Sequence, residues 1–240
     1  MDKLSVIIPA FNEEKYIGAC LESLRRFGED AIGEILVIDN ASTDSTADVA
    51  GAFPGVRVIR EERKGPSFAR QRGFDEARFP MLAYLDADCR ITPEWIGVAR
   101  KAWGKDPALL CISGPYMYTK TDLPSAIQRA FAWMFWFIIA PVTYAVTRFA
   151  LTGGNFIVKK EALQNIGGID TNIAFYGDDT NLARRLHATG RVLFTTRFVC
   201  YTSGRRLQKN FVRTSLKYVL NYLSEAFFHR PLNRAYDDIR

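Results

Sequence analysis

Short apolar, β-branched runs alternate with segments of helical periodicity through the first 110 residues, and this alternation limits the fold more than any other feature of the sequence. The runs are LSVIIPA, EILVIDN, VRVIRE, MLAYLDA and LLCISG. Between the first two, Ile17, Leu21, Leu24 and Phe27 recur at helical spacing, and Asn12 stands where an N-cap would. Such alternation is typical of βαβ units, which form a mostly parallel sheet flanked by helices and bind ligands at the carboxyl ends of the strands. The sequence therefore predicts an α/β fold.

The second half of the chain is less regular. It contains an apolar stretch from Ala130 to Thr147, the segments LTGGNFIVKKEALQNIGGID and FYGDDTNLARRLHATG, and a basic, aromatic tail. We expect the middle segments to extend the same sheet, because no stretch between the two halves has the composition of a linker. The sequence thus predicts one domain over residues 1–203 and a helical appendage over residues 204–240.

The composition favours an anionic partner and a reducing compartment. The formal net charge is +6 and the isoelectric point about 9.2, which suits a nucleotide, a phosphate, a nucleic acid or an acidic lipid surface. The basic residues form no recognised nucleic-acid-binding module, so nucleic acid is not predicted as a partner. Four scattered cysteines without metal-type spacing indicate free thiols, and MDKLSVIIPAF lacks the pattern of a secretory signal. We therefore expect a cytoplasmic protein.

Two aspartates, Asp86 and Asp88, lie at the end of the fourth run, directly after its apolar residues. Residues two apart on an extended strand point to the same side, so the two carboxylates would converge just past the strand end. Adjacent like charges repel, and a divalent cation that prefers hard oxygen ligands, such as Mg²⁺ or Mn²⁺, removes that repulsion. The alternative is a solvated turn in which Asp88 caps the next segment.

Other charged residues are predicted near the same edge of the sheet. Asp39 ends the second run, and Arg70 and Arg72 lie on a helix with Lys64 just ahead of it. The cations would face a diphosphate in a binding site, or water if they form a solvated helix surface. Asp39 is either a site residue or a turn former beside Asn40. The sequence leaves these alternatives open.

Six motifs, taken in order, resemble those of family 2 glycosyltransferases, which have the Rossmann-like GT-A fold. They are VIIPAFNEEKYIGACLESL, ILVIDNASTDST, GPSFARQRG, YLDADCRITPEWI, LTGGNFIVKKEALQNIGGID and YGDDTNLARRL. Each motif is weak alone, but six in the family's order, from Leu4 to about Leu186, are a specific signal. The resemblance implies a nucleotide-binding half over residues 1–118 and an acceptor half over residues 119–203.

The resemblance also implies a nucleoside diphosphate sugar as donor, usually a UDP-sugar, and a glycan or lipid-linked hydroxyl as acceptor. The nucleotide-binding residues implied by the motifs are Pro9, Ala10, Glu13, Asp39, Arg70 and Asp86. Asp86 and Asp88 match the family's Asp-x-Asp motif, which binds the ribose and a Mn²⁺ or Mg²⁺ ion. A metal and fixed cations stabilise the negative charge that develops on a departing diphosphate.

An inverting transferase needs a base that takes the proton from the incoming hydroxyl. The resemblance of YGDDTNLARRL to the family's Glu-Asp motif assigns this role to Asp179, with Asp178 in the place of the glutamate. Acidic residues are also favoured in a first helical turn, which by itself would explain one of the two. The remaining implied site residues are Gly153, Gly154 and Asn155 for the donor sugar or acceptor, and Arg205 and Arg206 for the diphosphate.

The chain departs from the family pattern at two points. Asn40-Ala41 stands where Asp-Gly is more usual, so the turn after Asp39 lacks its glycine. Many relatives supply a late histidine to the metal, whereas His187 and His229 occupy positions typical of ordinary surface or half-buried histidines.

The stretch AFAWMFWFIIAPVTYAVT carries no charge over eighteen residues, which is at the lower limit of the ~20 residues that a membrane span needs. A span here would put Asp88 and Asp179 on opposite sides of a bilayer, so an enzyme with this site excludes it. The stretch is then a core helix, a surface that dips into the membrane interface, or a contact between the subunits of a homodimer. The basic, aromatic tail favours peripheral contact with the cytoplasmic face of a membrane, with packing on the domain as its alternative.

The sequence thus predicts an inverting, metal-dependent glycosyltransferase of cell-envelope, lipid-linked glycan or exopolysaccharide synthesis. A sugar nucleotidyltransferase is disfavoured, because the loop PAFNEE after the first strand lacks glycine and arginine. The alternative from another class is a catalytically idle nucleotide- or membrane-surface-binding module of the same fold. The presence of Asp39, Asp86, Asp88 and Asp179 together argues against a decayed site.

Overall fold

A computed structural model describes residues 1–173, 177–208 and 211–228 of the chain. The strands are β1 (Leu4–Ala10), β2 (Ile32–Asp39), β3 (Val56–Arg60), β4 (Met81–Leu85), β5 (Arg90–Ile91), β6 (Cys111–Ser113), β7 (Tyr116–Met117), β8 (Asn155–Lys159), β9 (Val192–Phe194) and β10 (Cys200–Tyr201). The helices are α1 (Ile17–Phe27), α2 (Thr46–Gly51), α3 (Pro66–Glu76), α4 (Trp95–Lys105), α5 (Ala126–Met134), α6 (Ala140–Thr147), α7 (Lys160–Asn165), α8 (Asp178–His187), α9 (Arg205–Gln208) and α10 (Phe211–Phe228).

Seven strands form the central sheet, in the order β3-β2-β1-β4-β8-β6-β9. The first four run parallel, and β8 runs antiparallel to both of its neighbours. A smaller sheet has the order β5-β10-β7. The predicted α/β fold with a mostly parallel sheet is confirmed, with β8 as the exception. Strand order reverses at β1, between β2 and β4, and the crevice at such a switch point is where open α/β sheets bind ligands.

The two faces of the sheet pack against different helices. Along β1, Val6 and Ile8 join the cluster that contains α1 and α4, whereas Ile7 joins the cluster on the other face with α3 and α8. Gly73 lets α3 lie very close to the sheet, since a Cβ at this position would stand 2.2 Å from Cγ2 of Ile7. This close approach brings Arg70 of α3 to the carboxyl edge of the sheet.

The first helix begins later than predicted. Asn12 does not cap it: α1 starts at Ile17, and Asn12 has a positive φ of 53°. The Asn12 side chain accepts a hydrogen bond from the backbone N–H of Thr43, at 2.9 Å. Asn12 therefore ties the loop after β1 to the loop after β2. A long-range contact between two loops outweighs the local capping preference of asparagine here.

The apolar stretch forms a continuous helical segment, Ala126–Thr147, which we call the apolar helix. It consists of α5, a π turn over Phe135–Ile139, and α6. Pro141 accounts for the π turn, because proline has no N–H for the carbonyl four residues earlier and its ring crowds that carbonyl. Helix α10 packs beside the apolar helix through edge-on aromatic pairs, such as Phe135 with Tyr222 at 5.6 Å between ring centroids. The domain boundary at residue 203 stays a prediction.

Candidate active site

A cleft of about 500 Å³ lies at the carboxyl edge of the sheet, where β1 and β4 end. That volume suits a ligand of nucleotide-sugar size. Among the predicted site residues, its walls include Pro9, Ala10, Arg70, Asp86, Asp88, Gly153, Asp178 and Asp179. The opposite wall is apolar and comes from the apolar helix and α10, with Phe131, Phe135, Trp136, Val219 and Tyr222.

Asp86 and Asp88 converge, but through a turn rather than an extended chain. The backbone N–H of Cys89 donates to the carbonyl of Asp86 at 2.9 Å, which closes a tight turn directly after β4. One oxygen from each aspartate and the Cys89 Sγ lie within 4.8 Å of one another. Burial, and then the neighbouring Cys200, raise the pKa of the Cys89 thiol, and its soft sulfur is not the kind of ligand that a hard divalent cation prefers. The two carboxylates that remain are the hard donors that Mg²⁺ and Mn²⁺ prefer.

An arginine accompanies each of these two carboxylates. Arg70 lies 3.6 Å from Asp86 and also pairs with Asp178. Arg205 lies 3.1 Å from Asp88 and also pairs with the buried Glu13. The carboxylates of Asp178 and Asp86 raise the pKa of Arg70 in spite of its burial, so its guanidinium stays charged. The cleft therefore holds fixed positive charge beside the acidic pair.

The other predicted cations behave differently. Arg72 pairs with Glu76 at 2.9 Å along the surface of α3 and does not line the cleft, so the solvated alternative holds for it. Lys64 lies at the mouth of the cleft, over the Phe11 ring at 5.7 Å. The side chain of Arg206 and the whole of His229 lie outside the described residues. His187 is half-buried on α8 beside Phe149, at 5.9 Å between ring centroids.

Tyr116 and Gly154 fix the position of Asp86. The Tyr116 hydroxyl donates to Oδ2 of Asp86 at 2.9 Å and accepts from the backbone N–H of Gly154, also at 2.9 Å. Burial, and then the Asp86 charge, raise the pKa of Tyr116, so the hydroxyl remains a donor. A Cβ at Gly154 would stand 2.1 Å from Cγ of Asp86, whereas one at Gly153 would meet the Arg70 guanidinium at 3.0 Å. Only glycine fits at residue 154.

Asp178 and Asp179 occupy the first turn of α8. Gly177, with a φ of 85°, turns the chain into this helix, and the helix dipole favours acidic residues in its first turn. Burial, and then repulsion from Asp178, raise the pKa of Asp179 to about 7. Burial also raises the pKa of Asp178, although Arg70 opposes the shift. Asp179 is therefore close to half-protonated at neutral pH, which suits a group that takes up and releases a proton.

Three predicted site residues lie behind the cleft wall. Asp39 is 1% exposed; its side chain accepts from Arg60 at 2.9 Å and from the backbone of Ser42 at 3.2 Å. Glu13 is buried against Arg205. The fully buried Asn155 contradicts its predicted place at the sugar: its amide oxygen accepts from Trp95, and its nitrogen donates to backbone carbonyls. Asn155 supports the wall from the core.

Sequence reasoning missed Tyr116 and undervalued Asn40. Tyr116 reaches Asp86 from β7, and no motif marked it. The Asn40 side chain donates to the carbonyls of Glu61 and Arg63 and accepts from the N–H of Gly65 at 2.8 Å, which holds the loop ahead of α3. The presence of Asn40-Ala41, where the family more often has Asp-Gly, was the sequence signal that could have identified Asn40. The next residue, Ala41, adopts the positive φ, 59°, that a glycine would adopt more easily.

Comparison with solved structures supports this fold. The mannosyltransferase PcManGT from Pyrobaculum calidifontis, solved with GDP-Man and Mn²⁺, superposes with a TM-score of 0.70 at 21% identity, over 94% of this chain and 64% of that one. The glucosyl-3-phosphoglycerate synthase of Mycobacterium tuberculosis, solved with Mn²⁺, UDP and phosphoglyceric acid, gives a TM-score of 0.65 at 18% identity, over 94% of this chain and 79% of its own. These likenesses confirm the predicted GT-A fold.

Sequence comparison gives the family. Glycosyltransferase AglE of Haloferax volcanii is 33% identical to this chain over 99 aligned residues, which are 39% of this chain and 33% of AglE. The chain thus spans only a minority of the length of this curated relative. The model of glycosyl transferase family 2 matches residues 5–167, that is, 163 of the 240 residues. The chain with the acidic pair after β4 and the second acidic pair at the start of α8 belongs to glycosyl transferase family 2.

Proposed function

We propose that the protein is an inverting, metal-dependent glycosyltransferase that moves a sugar from a nucleoside diphosphate to an acceptor hydroxyl. The observation that carries the proposal is the convergence, in one cleft, of two acidic pairs and a buried arginine that bridges them. Arg70 contacts Asp86 of the first pair and Asp178 of the second. A binding module without chemistry would not need Asp179 beside them with a pKa raised to about 7.

Asp179 is the proposed base. It lies next to Gly153, whose added Cβ would stand 3.5 Å from Cβ of Asp179, and the next residue, Gly154, touches Asp86. The base and the acidic pair thus border one short backbone segment, over which a sugar would bridge the two sites. Asp179 would accept the proton of the acceptor hydroxyl as that oxygen bonds to the anomeric carbon and the bond from this carbon to the diphosphate oxygen breaks. Its raised pKa makes it a stronger base than an exposed aspartate.

Asp86 and Asp88 are the residues that would hold Mg²⁺ or Mn²⁺, and such an ion would neutralise charge on the diphosphate leaving group. Arg70 and Arg205 would add fixed positive charge on either side of the same group. Pro9 and Ala10, at the end of β1, would form the floor beneath the nucleotide. Asp39 does not line the cleft and would contribute indirectly, through the neighbouring cleft residue Asn40. By the family resemblance the nucleotide is UDP, although the solved neighbours include both a GDP-Man and a UDP complex.

The surface of the cleft and the state of the cysteines support a proposal for the acceptor and the setting. The wall made by the apolar helix and α10 presents aromatic rings to the cleft, which suits a glycan or a lipid-linked acceptor. All four cysteines are buried free thiols, as expected in a reducing cytoplasm. These features support a role in lipid-linked glycan, cell-envelope or exopolysaccharide synthesis.

Calorimetric titration of UDP and GDP, each with and without Mn²⁺, tests the proposal. We expect Mn²⁺-dependent binding of one nucleotide to the wild type and at least tenfold weaker binding to Asp88→Asn. Asp106→Asn is the matched control, because Asp106 pairs with Arg191 on the surface and lies outside the cleft. Binding of neither nucleotide would contradict the transferase proposal. Nucleotide binding without turnover of UDP-glucose, GDP-mannose or related donors would instead support an idle module.

A further inference from the structure

The apolar helix leaves an unusual outer face. Every residue of Ala126–Thr147 that is exposed is apolar: Ala126, Ile127, Ala130, Trp133, Met134, Ile138, Val142, Ala145 and Val146. Ile127 and Val146, near the two ends, are 76% and 67% exposed. The one charged residue of the helix, Arg129, is turned back onto the carbonyls of Leu123 and Pro124. An apolar patch of this length on a soluble domain marks a surface that contacts another molecule.

The π turn keeps this face straight. Met134, Ile138, Val142 and Val146 recur every four residues, and in a regular α-helix such a spacing drifts by about 40° at each step, since a turn takes about 3.6 residues. A π turn accommodates an additional residue and reduces the drift. The exposed side chains therefore form one stripe along a segment that is about 33 Å long at 1.5 Å per residue, while the opposite side keeps Ala132, Trp136 and Ala140 inward.

The exposed charges next to the two ends of the stripe are positive, whereas Asp122, between Lys120 and the helix, is half-buried and paired with Arg90. No acidic residue occurs between Asp122 and Glu161. Lys120 precedes the apolar helix and Arg148 follows it, and both are exposed. On the neighbouring α10, exposed Leu216 and Leu220 accompany exposed Arg213, and its one acid, Glu225, is buried. Apolar side chains flanked by cations, with an exposed tryptophan among them, match the interface of an anionic bilayer.

The geometry points to the outer face of the apolar helix as a docking surface for an anionic membrane, with the helix lying in the plane of the interface.

A second copy of this chain is a poorer occupant. In a two-fold contact between such helices, cationic ends would meet cations or bare apolar surface, with no acid in the segment to offset them. A span is disfavoured because Phe131, Phe135 and Trp136 line the cleft from the same helix. The membrane contact stands on this surface alone; its use for a lipid-linked acceptor rests on the proposed function.

Sedimentation of the full chain with sucrose-loaded vesicles tests the inference, with phosphatidylcholine alone or mixed with phosphatidylglycerol. The variant is Ile138→Glu with Val142→Glu, at positions 47% and 59% exposed. The control is Lys101→Glu on α4, an exposed site where one substitution changes the net charge by the same amount. We expect wild type to pellet with anionic vesicles, the double variant to bind at least tenfold more weakly, and the control to stay within threefold of wild type.

Several results would overturn the inference. These are a wild type that stays in the supernatant, a double variant that pellets like wild type, and a control that loses binding as severely as the double variant. A wild-type dimer in sedimentation velocity that the double variant dissociates would assign the face to a second copy instead.

Two further measurements separate folding and function from docking. Brominated lipids should quench the tryptophan fluorescence of wild type, and they should quench that of Trp133→Phe less. This measurement does not depend on the folding of the double variant. Absence of any quenching would count against docking. Mn²⁺-dependent nucleotide binding should be equal in wild type and the double variant. If neither binds nucleotide while vesicle binding persists, the proposed function fails and the docking surface stands.

Discussion

The two walls of the cleft are stabilised by different kinds of interaction, polar contacts on one side and apolar packing on the other. On the sheet side, charged groups are held by polar partners: Asp86 by Tyr116 and Arg70, and Asp88 by Arg205. On the helical side, aromatic rings meet edge to face, and the outer surface of the same helix lies bare. The first wall depends on directional contacts, which fail when one atom moves. The second depends on apolar area, which tolerates exchange of one side chain for another. Substitutions should therefore act sharply on one wall and weakly on the other.

The largest effect should follow from Asp179→Asn. Removal of a general base slows turnover by roughly 10²–10⁴-fold, and the amide keeps the shape of the side chain. We expect kcat for nucleotide release from the preferred donor to fall by about 10³-fold, with the nucleotide Kd within threefold of wild type. Asp75→Asn, at an exposed position on α3, is the control. A loss of nucleotide binding equal to the loss of turnover would show that Asp179 only shapes the site.

Gly154→Ala should come next, with Gly153→Ala as its matched partner. The added methyl at residue 154 would stand 2.1 Å from Cγ of Asp86, whereas at residue 153 it would meet the end of a flexible arginine at 3.0 Å. We expect Mn²⁺-dependent nucleotide binding to weaken by about 100-fold, or about 2.7 kcal/mol, in the first variant. The second should lose less than tenfold. Titration calorimetry on both proteins measures the contrast, and equal losses would contradict the close packing at Gly154.

Turnover should also depend on pH through Asp179. The base must be deprotonated, and burial together with Asp178 raises its pKa to about 7. Activity should therefore fall about tenfold per pH unit below that value and level off above it. Asp178→Asn removes the like charge, which lowers the pKa of Asp179, so the acid limb of the kcat profile should move to lower pH. A profile that does not move would mean that burial alone sets this pKa.

Tyr116→Phe should have a moderate effect. The variant removes one hydroxyl and leaves Oδ2 of Asp86 and the N–H of Gly154 without that partner. An unsatisfied polar group costs about 1–3 kcal/mol. We expect roughly tenfold weaker Mn²⁺ and nucleotide binding and a lower melting temperature. Tyr201→Phe, at an exposed position on β10 that does not line the cleft, is the comparison and should stay close to wild type. Similar losses in both variants would contradict a specific role of the Tyr116 hydroxyl at the site.

The smallest effect should come from the outer face of the apolar helix. Ile127→Gln, at a position 76% exposed, should leave the free energy of unfolding within about 0.5 kcal/mol. Ala140→Gln, on the inner side of the same helix against Phe194, should destabilise by about 1–3 kcal/mol through overpacking. Denaturant unfolding without lipid measures both. A strongly destabilised Ile127→Gln would mean that the outer face is already covered within the free protein.

The sheet side was more predictable than the helical side, for physical reasons. β1 to β4 show in the sequence because buried parallel strands are continuous apolar runs, and Asp86, Asp88, Asp178 and Asp179 stand where such elements begin or end. Contacts between distant segments leave no local pattern. The capping prediction at Asn12 was wrong for this reason, and the burial of Asn155 was missed. The pairing of Arg205 with Asp88 joins α9 to the turn after β4, although the two lie far apart in the sequence.

The π turn has a consequence for how this stretch of chain can vary. Substitutions that keep an apolar residue at an outer position preserve the stripe, so the composition of the apolar helix is free within wide limits. Insertion or deletion of one residue between Ile127 and Met134 would rotate everything beyond it by about 100°. Side chains that now face solvent would turn toward the domain, and those of the cleft wall would turn away. In this segment the number of residues is therefore constrained more tightly than the identity of each residue. The extra residue of the π turn, next to Pro141, determines which side chains of α6 face outward.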